Sequence, residues 1–297
     1  MHDVANYHPS EGHSMAIQLL NALAYGSLLL ILALGLAMIF GLGGVFNFGH
    51  GALYMFSAYT AYSLSSAVSF WLALVTVPAV LALVGFLVDK GAFRFLRSRD
   101  PIELAIITYG GALVIENVVV ILWGTQPKAL DPPAPFDSSV SVLGDAYPSY
   151  RLFIIVFSLA VAIGIASWLR YSKMGLHVRA ASRDLEMTGV AGVNTDRLNA
   201  VVAAVSFGLA GVAGVLVAPY ATVSIDMGAR ILVIALIVTT VGGLGSIGGA
   251  AIAAIALGLI QVIGDVNLPG WSALTPYVVM IVVLIVHPRG IAGRIET

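Results

Sequence analysis

The 297-residue chain contains no cysteine, and only 10% of its residues are charged. The first absence excludes disulfides, zinc–thiolate sites and thiol nucleophiles. The second sets it apart from soluble domains, where about a quarter of residues are charged. A net charge of -1 gives no basis for nucleic-acid binding. No G-x-x-x-x-G-K-[ST] phosphate loop is present, so nothing in the chain is built to cradle ATP. Residues 1–15 hold His2, His8 and His13 but no Lys or Arg, and the apolar run after them is too long for a signal-peptide core. The six histidines are scattered, with no metal-ligand spacing and no nucleophile–base set.

What is present is hydrocarbon. Hydrophobic residues make up 59% of the chain, in continuous runs near membrane-spanning length rather than the alternating ten-residue segments of a barrel. The expectation is an all-α polytopic membrane protein, a single domain over 1–297. Its spans would be 16–40, 52–71, 72–88 with a kink at Pro78, 101–123, 152–169, 199–220, 231–241, 250–263 and 271–286. That makes about nine crossings, or seven if 231–263 is a re-entrant pair of half-helices. Residues 1–15 form an external tail. Residues 125–150, with five prolines from Pro127 to Pro148, form an extended or irregular external loop. Eleven of the fourteen Lys and Arg fall in 89–100, 170–197 and 289–294, and basic loops stay in the cytoplasm. The N-terminus is therefore expected outside and the C-terminus inside.

The longest polar stretch, 170–197, holds five basic and three acidic residues. Read as a helix, it puts Val178, Ala181 and Leu185 on one face and Arg179, Arg183 and Glu186 on another, with Arg183 able to pair with Glu186 across one turn. Gly189 and Gly192 would let the chain turn back toward the membrane. A solvated surface helix and a docking helix for a cytoplasmic partner both fit.

Polar residues at membrane depth are the candidates for a solute route. Asn47 and His50 sit in the glycine cluster around Gly41, Gly43 and Gly44, where a broken helix is tolerated only if it lines a cavity or is buried in protein. The alternative is close packing, with His50 bonding a neighbouring carbonyl. Glu116 and Asn117 lie in the fourth span; Glu116 either faces an interior or pairs with Arg151. Thr108 is expected to bond its own helix backbone. The second cluster, Gly242, Gly243, Gly245 and Gly249, reads equally as a hinge or as helix packing. Gly208, Gly211 and Gly214 form a close-contact stripe, and Gln18, Asn21 and Gln261 suggest interhelical hydrogen bonds.

Four ordered stretches carry a family resemblance: GLAMIFGLGGVFNFGHGALYMFSAY, TYGGALVIENVVVILWG, RAASRDLEMTGVAGVNTDRLNAVVAAVSFGLAGVAGVL, and VGGLGSIGGAAIAAIALGLI with the later HPRGIAG. Together they resemble permease subunits of bacterial ABC importers for branched-chain amino acids and related amides or urea. The resemblance implies a multi-pass protein of the bacterial inner membrane, not itself an enzyme, paired with a second homologous permease. It also implies two ATP-binding subunits that hold ATP and Mg, and a periplasmic substrate-binding protein. Under it Asn47, His50, Thr108, Glu116 and Asn117 would line the substrate route. Arg179, Arg183, Asp184, Glu186, Gly189 and Gly192 would form the ATPase-coupling segment. The competing class is a stand-alone channel or secondary carrier for a small solute such as urea or an amide, to which the glycine-broken helices also lend themselves.

Overall fold

A computed structural model of the chain describes residues 11–44, 47–97, 99–142, 144–268 and 270–292. The elements in order are α1 Glu11–Gly43, α2 Gly49–Ala67, α3 Phe70–Val88, a π-helical turn Asp89–Phe93, α4 Arg94–Leu96 and α5 Pro101–Trp123. There follow β1 Ser139–Val142, β2 Asp145–Pro148, α6 Ser149–Tyr171, α7 Lys173–Ala181, α8 Leu185–Val190 and α9 Thr195–Val217. The chain then forms α10 Met227–Gly242, α11 Ile247–Asn267, a 3-10 turn Ser272–Leu274 and α12 Thr275–Val286. Among the described residues, six helices have the length and apolarity of membrane spans; α10 and α12 are shorter apolar helices. The protein is thus a helical polytopic membrane protein.

Helix boundaries follow local chemistry. Asp100 accepts a hydrogen bond from the Ile102 amide, with Pro101 at the first helical position where its missing N–H costs nothing. Asn194 caps α9 through the Arg197 amide, and Ser246 caps α11 through the Gly249 amide. Four expectations change. The third span does not stop at Val88: the helix runs through the π turn to Leu96, so most of the basic loop 89–100 is helical. The Pro-rich loop 125–150 contains an antiparallel hairpin, Ser139 opposite Pro148, because Ser139–Val142 alternates polar with β-branched residues. The 170–197 stretch is two short helices, broken where the Asp184 side chain accepts from the Met187 amide and restarts the helix. Arg183 and Glu186 flank that break, are both exposed, and form no ion pair.

The centre is α1, α2 and α9, with α3, α10 and α11 packed around them. The apolar window of α1 is 78% buried, whereas that of α5 is 11% buried. Apolar residues in lipid gain little by leaving it, so these helices associate through close van der Waals contact and need small residues at the crossings. A methyl group at Gly51 would lie 2.2 Å from the Gly228 carbonyl oxygen, and one at Gly214 would lie 2.3 Å from that of Tyr54. The stripe on α9 is therefore a packing face, against α2 at Gly214 and against Pro78 of α3 at Gly211. Asn21 accepts from Arg151, tying α1 to α6, and Gln261 donates to the Ser272 carbonyl at 3.3 Å. Arg151 therefore does not serve Glu116; its guanidinium also lies over the Tyr220 ring.

Gly51→Val is expected to destabilise the detergent-solubilised protein by about 1–3 kcal/mol, the range for overpacking a tight contact. Gly110→Ala, which enters open space, is expected to leave thermal unfolding unchanged. Fluorescence-detected thermal denaturation of the two variants checks the contrast.

Candidate functional site

The chain breaks between α1 and α2, and the break is held from two sides. Asn47 is 4% exposed and its Oδ1 accepts from the Gly49 amide at 3.0 Å, which fixes the first turn of α2. The Phe48 amide donates to Thr108 Oγ1 at 3.2 Å, while that hydroxyl donates to the Ala105 carbonyl of its own helix. Thr108 therefore does what its sequence context suggested and also closes the break. It stands seven residues into α5, about 10 Å along the helix axis, so irregular backbone lies at membrane depth. Such backbone persists only where it is enclosed by protein or lines a cavity.

Both conditions are met. A cavity of about 200 Å³ lies beside the break, lined by Asn47, Thr108, Asp89, Arg97, Asn199 and Leu185. Asn47 Nδ2 is buried and, among the described residues, has no hydrogen-bond partner. Ile39, Leu42, Leu104 and Val202 supply apolar wall. A largely apolar space with a few polar groups in its wall is a form that recognises small amphiphilic solutes.

The sequence candidates separate on this geometry. Asn47 and Thr108 meet at the cavity. His50 is fully buried and turned away from it: Nε2 donates to the Leu32 carbonyl at 3.1 Å in the middle of α1. Gly35 makes room for the imidazole, since a methyl there would lie 2.9 Å from His50 Cε1. Ser206 of α9 bonds the Gly35 carbonyl at 2.8 Å, so His50 belongs to the α1–α2–α9 seam. Glu116 and Asn117 lie two turns further along α5, with Glu116 half-buried and Asn117 exposed. Asn117 bonds the Leu113 carbonyl of its own helix, and among the described residues Glu116 has no ion pair. Their helix packs against α2 on one side; Ile106, Val114 and Ile121 are exposed on the others.

The two glycine clusters meet in space. Gly41 of α1 faces Gly245, which takes a φ of 75° in the turn between α10 and α11. Gly242 and Gly249 cross so closely that a methyl at Gly249 would fall 1.9 Å from the Gly242 carbonyl oxygen. The turn after α12 pins this one, the Ile291 and Ala292 amides donating to the Val241 and Gly242 carbonyls. Gly43 ends α1, Gly44 follows at a φ of 65°, and Gly243 takes 101°.

In the 170–197 segment, Val178 and Ala181 are buried, while Arg179, Arg183, Asp184, Glu186 and Gly189 are exposed. Asp184 is chiefly a helix cap. Gly192 takes a φ of 86° and turns the chain toward α9, whereas Gly189 lies inside α8. Leu176, Met187 and Val190 are exposed at 56%, 62% and 77%. These apolar residues, with Arg179 and Arg183 exposed on the same segment, are left uncovered by the described residues.

Sequence reading missed Asp89, Arg97 and Asn199. Asp89 looks like the first residue of a basic loop, but it is 4% exposed, inside a candidate span. An acid directly after a run of apolar residues, eight positions before an arginine, was the available signal.

The family described as branched-chain amino acid transport system / permease component matches residues 18–285. LivH of Escherichia coli K12, a high-affinity branched-chain amino acid transport system permease protein, is 29% identical over 224 residues, covering 73% of this chain and 72% of LivH. BraD of Pseudomonas aeruginosa, of the same description, is 28% identical over 222 residues with the same coverage. Among solved structures, PsaBC from Streptococcus pneumoniae in complex with Fab aligns with a TM-score of 0.50 at 14% identity, over 91% of each chain, a likeness of fold. With a match running from residue 18 in α1 to residue 285 in α12, a buried Asn47 beside a cavity, and no ATP-binding motif, the chain belongs to the family of permease components of branched-chain amino acid transport systems.

Proposed function

We propose that the protein is the translocation subunit of an ATP-driven importer of the bacterial inner membrane that takes up branched-chain or related amino acids. It pairs with a second, homologous permease, works with two separate ATPase subunits that bind ATP and Mg, and receives substrate from a periplasmic binding protein. The family match is the observation that carries this reading. The relatives LivH and BraD support the substrate class by their descriptions.

The orientation follows from charge. With the N-terminus outside and nine crossings, the α1–α2 break, the α3–α5 linker and α7–α8 all fall on the cytoplasmic side, with most of the basic residues. The cavity beside Asn47 and Thr108 is then a stretch of the substrate route near its inner end. Apolar walls suit aliphatic side chains, and the amide and hydroxyl suit the polar end of an amino acid. The exposed faces of α5, including Glu116 and Asn117, lie toward the second permease, since a half-buried carboxylate facing lipid would be costly. His50 serves this route by holding α2 against α1.

The face formed by Leu176, Met187 and Val190 with Arg179 and Arg183 is the docking surface for an ATPase subunit. Exposed apolar residues in a polar cytoplasmic loop are costly to leave in water, and a ring of arginines gives a partner its register. Gly192 lets the segment fold back onto α9, so that a push on α8 reaches the membrane.

Three outcomes test this reading. In proteoliposomes, uptake of radiolabelled leucine is expected only when both ATPase subunits, the binding protein and ATP are present; uptake driven by a proton gradient without nucleotide would instead favour a secondary carrier. Arg183→Glu is expected to lower the ATPase co-purifying with the permease about tenfold, the scale of a 1.4 kcal/mol loss, with membrane insertion intact. Glu116→Leu is expected to reduce uptake several-fold while the melting temperature of the isolated chain moves little, because Glu116 makes no ion pair within the chain; normal uptake would remove it from the route.

A further inference from the structure

Four charged side chains form one network, and two of them, Asp89 and Arg97, line the cavity. Arg97 Nη2 lies 2.5 and 2.6 Å from the two carboxylate oxygens of Asp89, a two-point contact. Arg97 Nη1 reaches Asp196 Oδ1 at 3.1 Å, and Arg94 Nε reaches the other Asp196 oxygen at 3.1 Å. A single guanidinium therefore bridges two carboxylates on different helices. Asp89 opens the π-helical turn at the end of α3, and Asp196 lies in the first turn of α9, directly after the α7–α8 segment.

The two halves of the bridge differ in kind. The Asp89 side chain is 6% exposed, so separating it from Arg97 would leave a charge buried without a partner. The Asp196 side chain is 49% exposed, and an ion pair in water is weak and screened by salt. The inner half stays closed; the outer half can open and re-form. A π turn inserts an extra residue into a helix and recurs at places where helices change shape, and here it carries the buried acid. Below it α3 is fixed to α9, because a methyl at Gly85 would lie 2.7 Å from the Ala203 carbonyl oxygen. The ends of the two helices beyond that contact are joined by the ion network. Leu185 of α8 lines the same cavity as Asn47, Thr108, Asp89 and Arg97.

We propose that Arg97 is a positioning residue for transport, the joint through which movement of the α7–α8 segment is passed to the end of α3 and the cavity wall. Its link to Asp196 opens and closes during the transport cycle, while its link to Asp89 holds throughout. This rests on the reading of α7–α8 as the ATPase-docking segment. Motion of α8 carries the start of α9 with it. Arg97 then either follows Asp196, drawing on Asp89 and the π turn, or lets go, and the cavity wall opposite Asn47 moves accordingly.

The test uses the complete transporter in proteoliposomes, with leucine uptake and ATP hydrolysis measured on the same preparation. Asp196→Asn is expected to leave the co-purified ATPase unchanged and to lower leucine transported per ATP hydrolysed about tenfold, with Asp196→Glu restoring most of it. Raising salt should lower the wild-type ratio and leave that of Asp196→Asn unchanged, a response that a purely structural role would not give. Should Arg97→Gln fail to fold because Asp89 is stranded, the neutral pair Asp89→Asn with Arg97→Gln replaces it and is expected to be equally uncoupled. A wild-type ratio in Asp196→Asn would overturn the joint. So would loss of the ATPase from that variant, which would make Asp196 part of the docking surface. An unaltered chain that captured no ATPase would overturn the docking reading as well, and that result is seen before any variant is made.

Discussion

Close approach of backbone to backbone at α1, α2 and α9 is the constraint on which the rest of this structure depends. In lipid the apolar side chains have no water to escape, so cohesion comes from contact alone, and contact is greatest where no side chain intervenes. Gly214 of α9 against Tyr54 of α2 and Gly35 of α1 beneath His50 of α2 are places where a methyl would meet backbone or ring atoms at less than 3 Å, and Gly51 against Gly228 joins α10 to α2 in the same way. Because these three helices fit tightly, the chain can be irregular beside them. The break before α2 is tolerable only because α1, α5 and α9 enclose it and the Asn47 and Thr108 side chains serve its amides.

A tight centre with a thin periphery suits a membrane component that works in an assembly. α5 is held to α2 at both ends, by Thr108 on the Phe48 amide and by Trp123 donating to Ser63. Its other faces, and the apolar residues of α8, are uncovered. The family to which the chain belongs explains why a protein would leave such faces open: the transport system has other components. Between tight centre and open loop lies the ion network of Asp89, Arg97 and Asp196, the place where a buried carboxylate and an exposed one share a guanidinium. The end of α3 and the start of α9 are tied there by charge rather than by packing.

How much of this was legible in the sequence varies by residue. The membrane class and the order of helices were legible, because runs of apolar residues have few other uses. The break near Asn47 and the turn at Gly192 were legible from glycine. Thr108 was expected to bond its own backbone, and does, but its second bond to Phe48 joins residues sixty positions apart. His50 and Asn47, three positions apart, looked like one site and face different ways, because Asn47 precedes α2 and is turned back onto the Gly49 amide, whereas His50 is already on the helix and points at α1. The 170–197 stretch looked like one amphipathic helix, yet Asp184 caps a new helix within it. Asp89 was read as loop because its charge suggested water, although Arg97, a full two turns on, removes the cost of burying it.

By itself the sequence determined the solvent and the rhythm of the chain. Twenty-residue apolar runs require lipid, basic loops imply a side of the membrane, and four ordered motifs point to a family. Composition and short-range spacing suffice for these, because each follows from the chemistry of neighbouring residues. Only the tertiary structure decided which polar groups meet. That Gly41 packs against Gly245, that Asn47 shares a cavity with Thr108 and Asn199, and that Arg97 joins α3 to α9 are facts about residues far apart in the chain. A side chain's partner across a helix bundle is set by crossing positions and depth, and these exist only once the helices have packed.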